Sequence, residues 1–247
     1  MSARQPGWII TAAMRLFELL RLLPLPDWLA LAWFFAAWIG YAWWAKRRAE
    51  TVGSLLATTN RYRRLWMLQT THRENRVVDG VVVQNLSTSP SFFASTTILI
   101  IGGLLAVIGT SERATELVRE IPFAARTPLI VVELKLLLLT GIFVYAFFRF
   151  TWSMRQYTFG ALLIASMPDH AVFARGEARR EDFAERAGRI VGLAAETFND
   201  GLRAYYMAFA ALLWFVSSLA FALGTAGIVF VLYRREFHSD VLEVLRH

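Results

Sequence analysis

Residues 127–150 read TPLIVVELKLLLLTGIFVYAFFRF, an apolar run with Glu133 and Lys135 embedded in it. Arg126 and Arg149 frame 22 residues, roughly 33 Å at ~1.5 Å per helical residue, close to the ~30 Å of bilayer hydrocarbon. Leaving the charged pair outside would shorten the run to Leu136–Phe148, 13 residues or roughly 20 Å, too short to cross. A carboxylate and an ammonium are therefore expected at or inside one membrane boundary. There each needs a partner, a wet cavity or an exit to the interface.

The rest of the chain supports the same class. Of 247 residues, 56% are hydrophobic and 18% charged, and the mean hydropathy is +0.44. A soluble domain would carry nearer ~25% charged residues. The excess lies in long runs, which points to one membrane domain rather than a soluble globule with a large core. Net charge is +7 and the pI about 10.2. The basic residues cluster beside apolar runs without any groove-reading or base-stacking motif, so anionic lipid headgroups are the expected partner and nucleic acid is not. There is no cysteine, which excludes disulfides and thiolate chemistry.

Four spans are expected in an all-α, polytopic helical bundle of the cell inner membrane, with amphipathic interfacial and cytoplasmic helices. Residues 1–27 form an amphipathic N-terminal segment. Trp8, Ile9, Ala12, Leu16, Leu19, Leu20 and Leu23 lie at helical spacing before Pro24 and Pro26, and Arg15, Glu18 and Arg21 argue against a cleavable signal. The bundle occupies 28–236, with cytoplasmic segments 46–90 and 169–203, and 237–247 is a tail. The first span, 28–45, carries Trp28, Trp33, Trp38, Trp43 and Trp44 and ends at Lys46, Arg47 and Arg48. The second, 91–109, spaces Ser91, Ser95, Gly102, Ala106 and Gly109 mostly three or four apart, which reads as the best-packed helix. The third is the opening run, continued by a short apolar stretch up to Met167. The fourth is 204–233, with Ser217, Ser218, Ala220, Gly224 and Gly227 as a second close-packing surface.

The Arg-rich segment 46–90 faces the cytoplasm by the positive-inside rule. Strict alternation of four spans then puts 111–126 and both termini outside, leaving Arg234 and Arg235 on the wrong side. An odd number of crossings would return them.

Three constellations could carry chemistry. Glu133 and Lys135, two apart on a helix, point in different directions. Glu133 is expected to face the bundle as a buried carboxylate beside Ser95, Thr96 and Thr97, a site for a proton, cation or small solute, while Lys135 snorkels outward. A boundary anchor is the bland alternative for both. The second constellation is Arg64, Arg73, Arg76 and Asp79, with Trp66, Glu74 and Asn75. It suits an anionic headgroup or nucleotide, or else a basic collar that needs no ligand. Asp79-Gly80 reads as a turn and Arg76–Asp79 as a local pair. The third is Glu196, Asp200 and Arg203 on one helical face, serving packing or gating. Residues 180–203 also place Phe183, Ala187, Ile190, Ala194 and Phe198 on one apolar face.

His72, His170, His238 and His247 are scattered. There is no HExxH, phosphate loop or GxSxG pattern, so no catalytic residue, metal site or cofactor is expected. Two functions remain, passage or binding of a small ion or polar solute, and a structural or accessory role in a membrane complex. A membrane enzyme is third, and a homo-oligomer is expected.

RYRRLWM at 61–67, NLSTSPSFFASTTILIIGGLLAVIG at 85–109 and FNDGLRAYYMAFAALLWF at 198–215 together resemble the integral membrane family catalogued as domain of unknown function 599. The resemblance covers nearly the whole chain after the N-terminal segment. It implies a multi-span membrane protein and supplies no site residues.

Overall fold

Pro24 and Pro26 start the first helix, α1 (Leu25–Arg48), where a missing N–H costs nothing. Asp27 in its first turn and Lys46, Arg47 and Arg48 in its last complement the helix dipole. The computed structural model describes residues 23–110 and 128–246. The predicted amphipathic segment up to residue 22 and the predicted exterior loop 111–126 lie outside the described residues. A π-helical turn (Ala49–Gly53) closes on Gly53 at φ 75°, a left-handed conformation that disfavours a Cβ. Ser54 then caps α2 (Leu55–Thr70), its Oγ accepting from the Ala57 N–H at 3.1 Å. The remaining elements are α3 (Val77–Gly109), α4 (Leu129–Ala165), the short α5 (His170–Ala174), α6 (Arg180–Leu212), a 3-10 turn (Leu213–Phe215), α7 (Ser218–Phe237) and α8 (Asp240–Arg246). No strand occurs among the described residues.

Four helical stretches are long and apolar enough to cross a membrane: Leu25–Ala49, Val77–Gly109, Leu129–Ala165 and Ser218–Arg246. The first three match the sequence reading. The fourth does not. The run 204–233 is broken: α6 carries its first part, the chain reverses at 213–217, and α7 carries the rest. Ser217 is the break point, extended at φ −166° and capping α7 by accepting from the Ala220 N–H at 3.0 Å. Two serines in an apolar run read as packing residues, whereas the first is a helix N-cap.

Contacts give the helix directions. α4 runs antiparallel to α3, with the Phe93 and Phe150 rings 5.3 Å apart near the middle and Arg76 donating to the Met167 and Pro168 carbonyls at one end. It is also antiparallel to α6, where Ser153 Oγ donates to Ala194 O at 2.7 Å and Lys135 Nζ to Trp214 O at 2.8 Å. α7 runs parallel to α1: Asp27 meets Ser218, and Tyr41 meets Glu236. The end of α7 therefore lies at the same end of the bundle as Lys46–Arg48, and Arg246 donates to the Val52 and Gly53 carbonyls there. Arg234 and Arg235 return to the basic end because the chain turns back once more at 213–217.

The core has two levels. One, with Phe34, Val131, Leu139, Phe150, Met207, Trp214 and Phe221 buried, joins α1, α4, α6 and α7. The other, with Met67, Val83, Tyr157, Ile164, Phe183 and Val191, joins α2, α5 and the lower parts of α3, α4 and α6. The predicted apolar face of α6 holds: Phe183, Ala187 and Ala194 are buried and Ile190 and Phe198 half-buried.

Helix α3 is not the best-packed helix. A Cβ on Gly102, Gly103 or Gly109 would meet nothing within 4 Å, and the same is true of Gly227. Close approach occurs on α6 and α7 instead. A Cβ on Gly188 would sit 2.9 Å from the Arg64 backbone, one on Gly201 would overlap the Phe150 ring, and one on Gly224 would overlap Leu213. Small residues permit close packing in lipid, but they do not say which face finds a partner.

Candidate functional site

Charged side chains gather at two levels. The outer level surrounds the 213–217 turn. Lys135 is buried, 3% exposed. Its Nζ donates to Trp214 O and lies 5.4 Å from the Trp214 ring. Asp27, also buried, accepts from Trp214 Nε1 at 2.6 Å and from Ser218 Oγ. An ammonium thus meets a carbonyl just past the C-terminal end of α6, and a carboxylate meets the start of α7, the signs that the two helix dipoles favour. Non-helical backbone at membrane depth is tolerated only when buried in protein. Here Trp214 and Phe215, 1% and 8% exposed, bury the middle of the turn, while Leu213 and Ser217 at its two ends are exposed.

Lys135 is therefore no snorkelling anchor, and Glu133 is not the buried carboxylate. Glu133 is half-buried and makes no ion pair or hydrogen bond to a described residue. The helical offset of two put one of the pair inside, and the partners on α1 and at the turn chose the cation. Ser95, Thr96 and Thr97 do not converge on Glu133. Ser95 is exposed, and Thr96 is half-buried and donates to Phe92 O. Thr97 is buried and shares a 2.6 Å hydrogen bond with Tyr205 OH. Tyr205 packs at 5.2 Å on Phe143, ten positions along α4 from Glu133 and so about 15 Å below it.

The inner level joins four helices. Arg203 on α6, 9% exposed, donates from Nε and Nη2 to Glu236 Oε1 at 3.0 and 2.7 Å. Its Nη1 reaches Asp200 Oδ1 at 3.3 Å, while the other Asp200 oxygen pairs with Arg149 Nη2 on α4. Tyr41 on α1 donates to Glu236 Oε2 at 2.8 Å, and Asn199 Nδ2 to Oε1 at 3.3 Å. Glu196 stands apart, accepting from Asn60 Nδ2 at 3.0 Å. The Asp200–Arg203 pairing was legible from i,i+3 spacing. The Glu236, Tyr41 and Arg149 contributions were not, since they come from 33, 162 and 54 residues away from Arg203.

Fourteen residues separate Asp27 from Tyr41 on α1 and Lys135 from Arg149 on α4, so the levels are roughly 21 Å apart on both helices. Centred in ~30 Å of hydrocarbon, each would lie roughly 5 Å inside a boundary, where neutralisation within the protein is required. The layer between them is apolar. Phe34, Leu139, Ile142, Ala146, Met207, Ala211 and Phe221 are buried there, while Phe93, Phe143, Phe150, Phe198 and Tyr205, with centroids 5.2–5.8 Å apart, pack around the inner level itself. The buried hydroxyls of Thr97, Thr140 and Thr225 donate to carbonyls four residues back on their own helices.

Below the inner level, Asp79 is fully buried in the first turn of α3. It accepts from Trp66 Nε1 at 2.7 Å, Thr70 Oγ1 at 3.2 Å and Arg73 Nη1. Asp79-Gly80 is helix and not a turn, and Asp79 pairs with Arg73 and not Arg76. Arg76 instead fastens α3 to the end of α4. Asp79 and Arg76 are consumed in joining helices, while Arg73, though paired with Asp79, keeps about half of its side chain exposed. Arg64, at 3.5 Å from Glu185, remains about half exposed. Burial pushes the Arg63 guanidinium of α2 below its usual pKa, opposed by Tyr157 and Glu196.

Fold and site together define an all-helical membrane bundle whose interior charges are neutralised at two levels. Residues 29–241 match the family described as protein of unknown function DUF599, and the chain belongs to that family. No curated protein and no solved structure matches the chain.

Proposed function

We propose that the protein is a structural or accessory component of the inner membrane, a closed bundle that holds a basic helical lobe at the cytoplasmic face and passes no ion. One observation carries this reading: the charges of both levels find their partners inside the bundle, and a buried apolar layer whose threonine hydroxyls are already bonded separates them. A permeation path would need a wet line of unpaired polar groups. The basic end, with Lys46–Arg48 and Arg234–Arg235, supports a cytoplasmic orientation for the lobe.

Self-association belongs to the same reading. α3 has 33 residues, roughly 50 Å, and exceeds the bilayer, yet Val77, Val78 and Val81 at its lower end are exposed. Exposed apolar surface beyond the hydrocarbon favours burial against a second copy.

The test is ion flux. Purified protein in liposomes is expected to leave proton and potassium gradients as long-lived as in empty liposomes, with an ionophore as positive control. Protein-dependent flux abolished by Glu133→Gln would overturn the proposal and restore the carboxylate as an ion site. Crosslinking of a Val78→Cys variant should trap dimers, and an absence of dimers at membrane density would reject the self-association.

A further inference from the structure

Helix α1 packs along α7, while α4 packs between α3 and α6. Between α1, α2 and α6, with Tyr145 of α4 at its edge, a lateral cleft of about 970 Å³ opens at the inner level, at the upper end of the ~300–1,000 Å³ usual for small-molecule sites. A second, almost wholly apolar cavity of about 630 Å³ continues outward from it, past Leu31, Leu134 and Leu138. Phe35, Trp38 and Tyr145 line both, with Trp38 edge-on to Tyr145 at 5.7 Å. The wall is therefore amphipathic, apolar through the membrane and polar at its cytoplasmic end.

The polar end is selective in sign. Lys46, Arg61, Arg64, Arg189 and Arg203 line it against Glu196, Asp200 and Glu236. All three carboxylates are already engaged, Asp200 and Glu236 with Arg203 and Glu196 with Asn60. Lys46, Arg61 and Arg189 are exposed and make no ion pair with a described residue, and Arg64 makes only the 3.5 Å contact to Glu185. Guanidinium groups left free at the mouth of an apolar groove suit a phosphate diester, which Arg can hold through two parallel hydrogen bonds.

We infer that this cleft holds one phospholipid with an anionic headgroup, admitted sideways from the inner leaflet. The phosphate lies among Lys46, Arg61, Arg64 and Arg189, and an acyl chain runs outward along α1 past Ala42 and Ile39. Free anions are not the ligand, because the apolar groove above the cations would stay empty. Of the basic residues nominated by sequence, Arg64 lines this site, whereas Arg73 and Arg76 do not and bond instead to Asp79 and to the end of α4. The inference rests on the orientation proposed above but not on the closed bundle: ion flux would leave it standing.

Because the chain contains no cysteine, an Ala42→Cys variant of the full-length protein reports on the cleft through maleimide labelling in an uncharged detergent. Added dioleoylphosphatidylglycerol should slow labelling at concentrations where dioleoylphosphatidylcholine does not. The pair Arg61→Gln/Arg189→Gln should raise the phosphatidylglycerol needed by roughly tenfold or more. Both arginines are exposed, so helicity and elution volume should not change. A Cβ on Gly141, in the apolar wall, would meet nothing within 4 Å, and Gly141→Phe should weaken protection by filling the groove. Equal protection by the two lipids would overturn the inference, as would an unshifted response in the double arginine variant. Protection by inorganic phosphate alone would make this an anion site instead of a lipid site. Protection that rises with protein concentration without lipid would assign the cleft to a second copy of the chain.

Discussion

Removing the Glu236 carboxylate tests whether the inner level is a true buried ion network. Arg203 sends two donors to Glu236 Oε1, and both side chains are only 10% exposed. In Glu236→Leu the guanidinium keeps Asp200 at 3.3 Å, but Asp200 is shared with Arg149, and Tyr41 loses its acceptor. Breaking a buried pair costs about 3–5 kcal/mol, and the remaining Asp200 contact argues for the lower end. A loss of about 3 kcal/mol corresponds to a fall in Tm of roughly 6–12 °C for a protein of this size. The double variant Arg203→Met/Glu236→Leu strands no guanidinium and should lie above Glu236→Leu, giving a coupling of about 2 kcal/mol in the double-mutant cycle. Unfolding followed by circular dichroism in mixed micelles measures all four corners. If the double variant falls as far as the two single losses added together, the two side chains are not coupled and the network is a surface feature.

Lys135→Met leaves Asp27 without its nearby ammonium and Trp214 O without its donor. It should cost about 1.5–3 kcal/mol and increase maleimide labelling of a Ser217→Cys probe at the 213–217 turn. Gly201→Ala, whose Cβ would overlap the Phe150 ring, should destabilise by about 1–3 kcal/mol, whereas Gly102→Ala should lower neither Tm nor yield. Arg76→Ala removes two hydrogen bonds to the end of α4. It should lower stability by about 1.5–3 kcal/mol, with faster hydrogen exchange at 164–167 than in the unaltered protein.

The chain order alone made the membrane class readable, because runs such as 127–150 and 91–109 exceed what a soluble core needs. Periodicity likewise exposed the amphipathic face of α6 and the Asp200–Arg203 pair. Those features are local, and 3.6-residue geometry is enough to find them. The Glu133/Lys135 run also required one ionisable group to be accommodated inside.

Which group it was, and what for, depended on residues far away in sequence. Lys135 is inside because Asp27 lies over 100 positions earlier and Trp214 nearly 80 later, and together they hold a reversal within a run that hydropathy reads as one helix. Hydropathy sums over a window and cannot see a turn whose polar backbone is satisfied by other helices. The small residues of α3 showed the same limit, since spacing marks a face able to pack and only the neighbouring helices decide whether it does. By itself, then, the sequence determined that this chain belongs in a membrane and where its helices are apolar. The tertiary structure decided which charges are buried, where the chain turns back and which cations remain free at the cleft, because each of those is a partnership between residues that local order does not bring together.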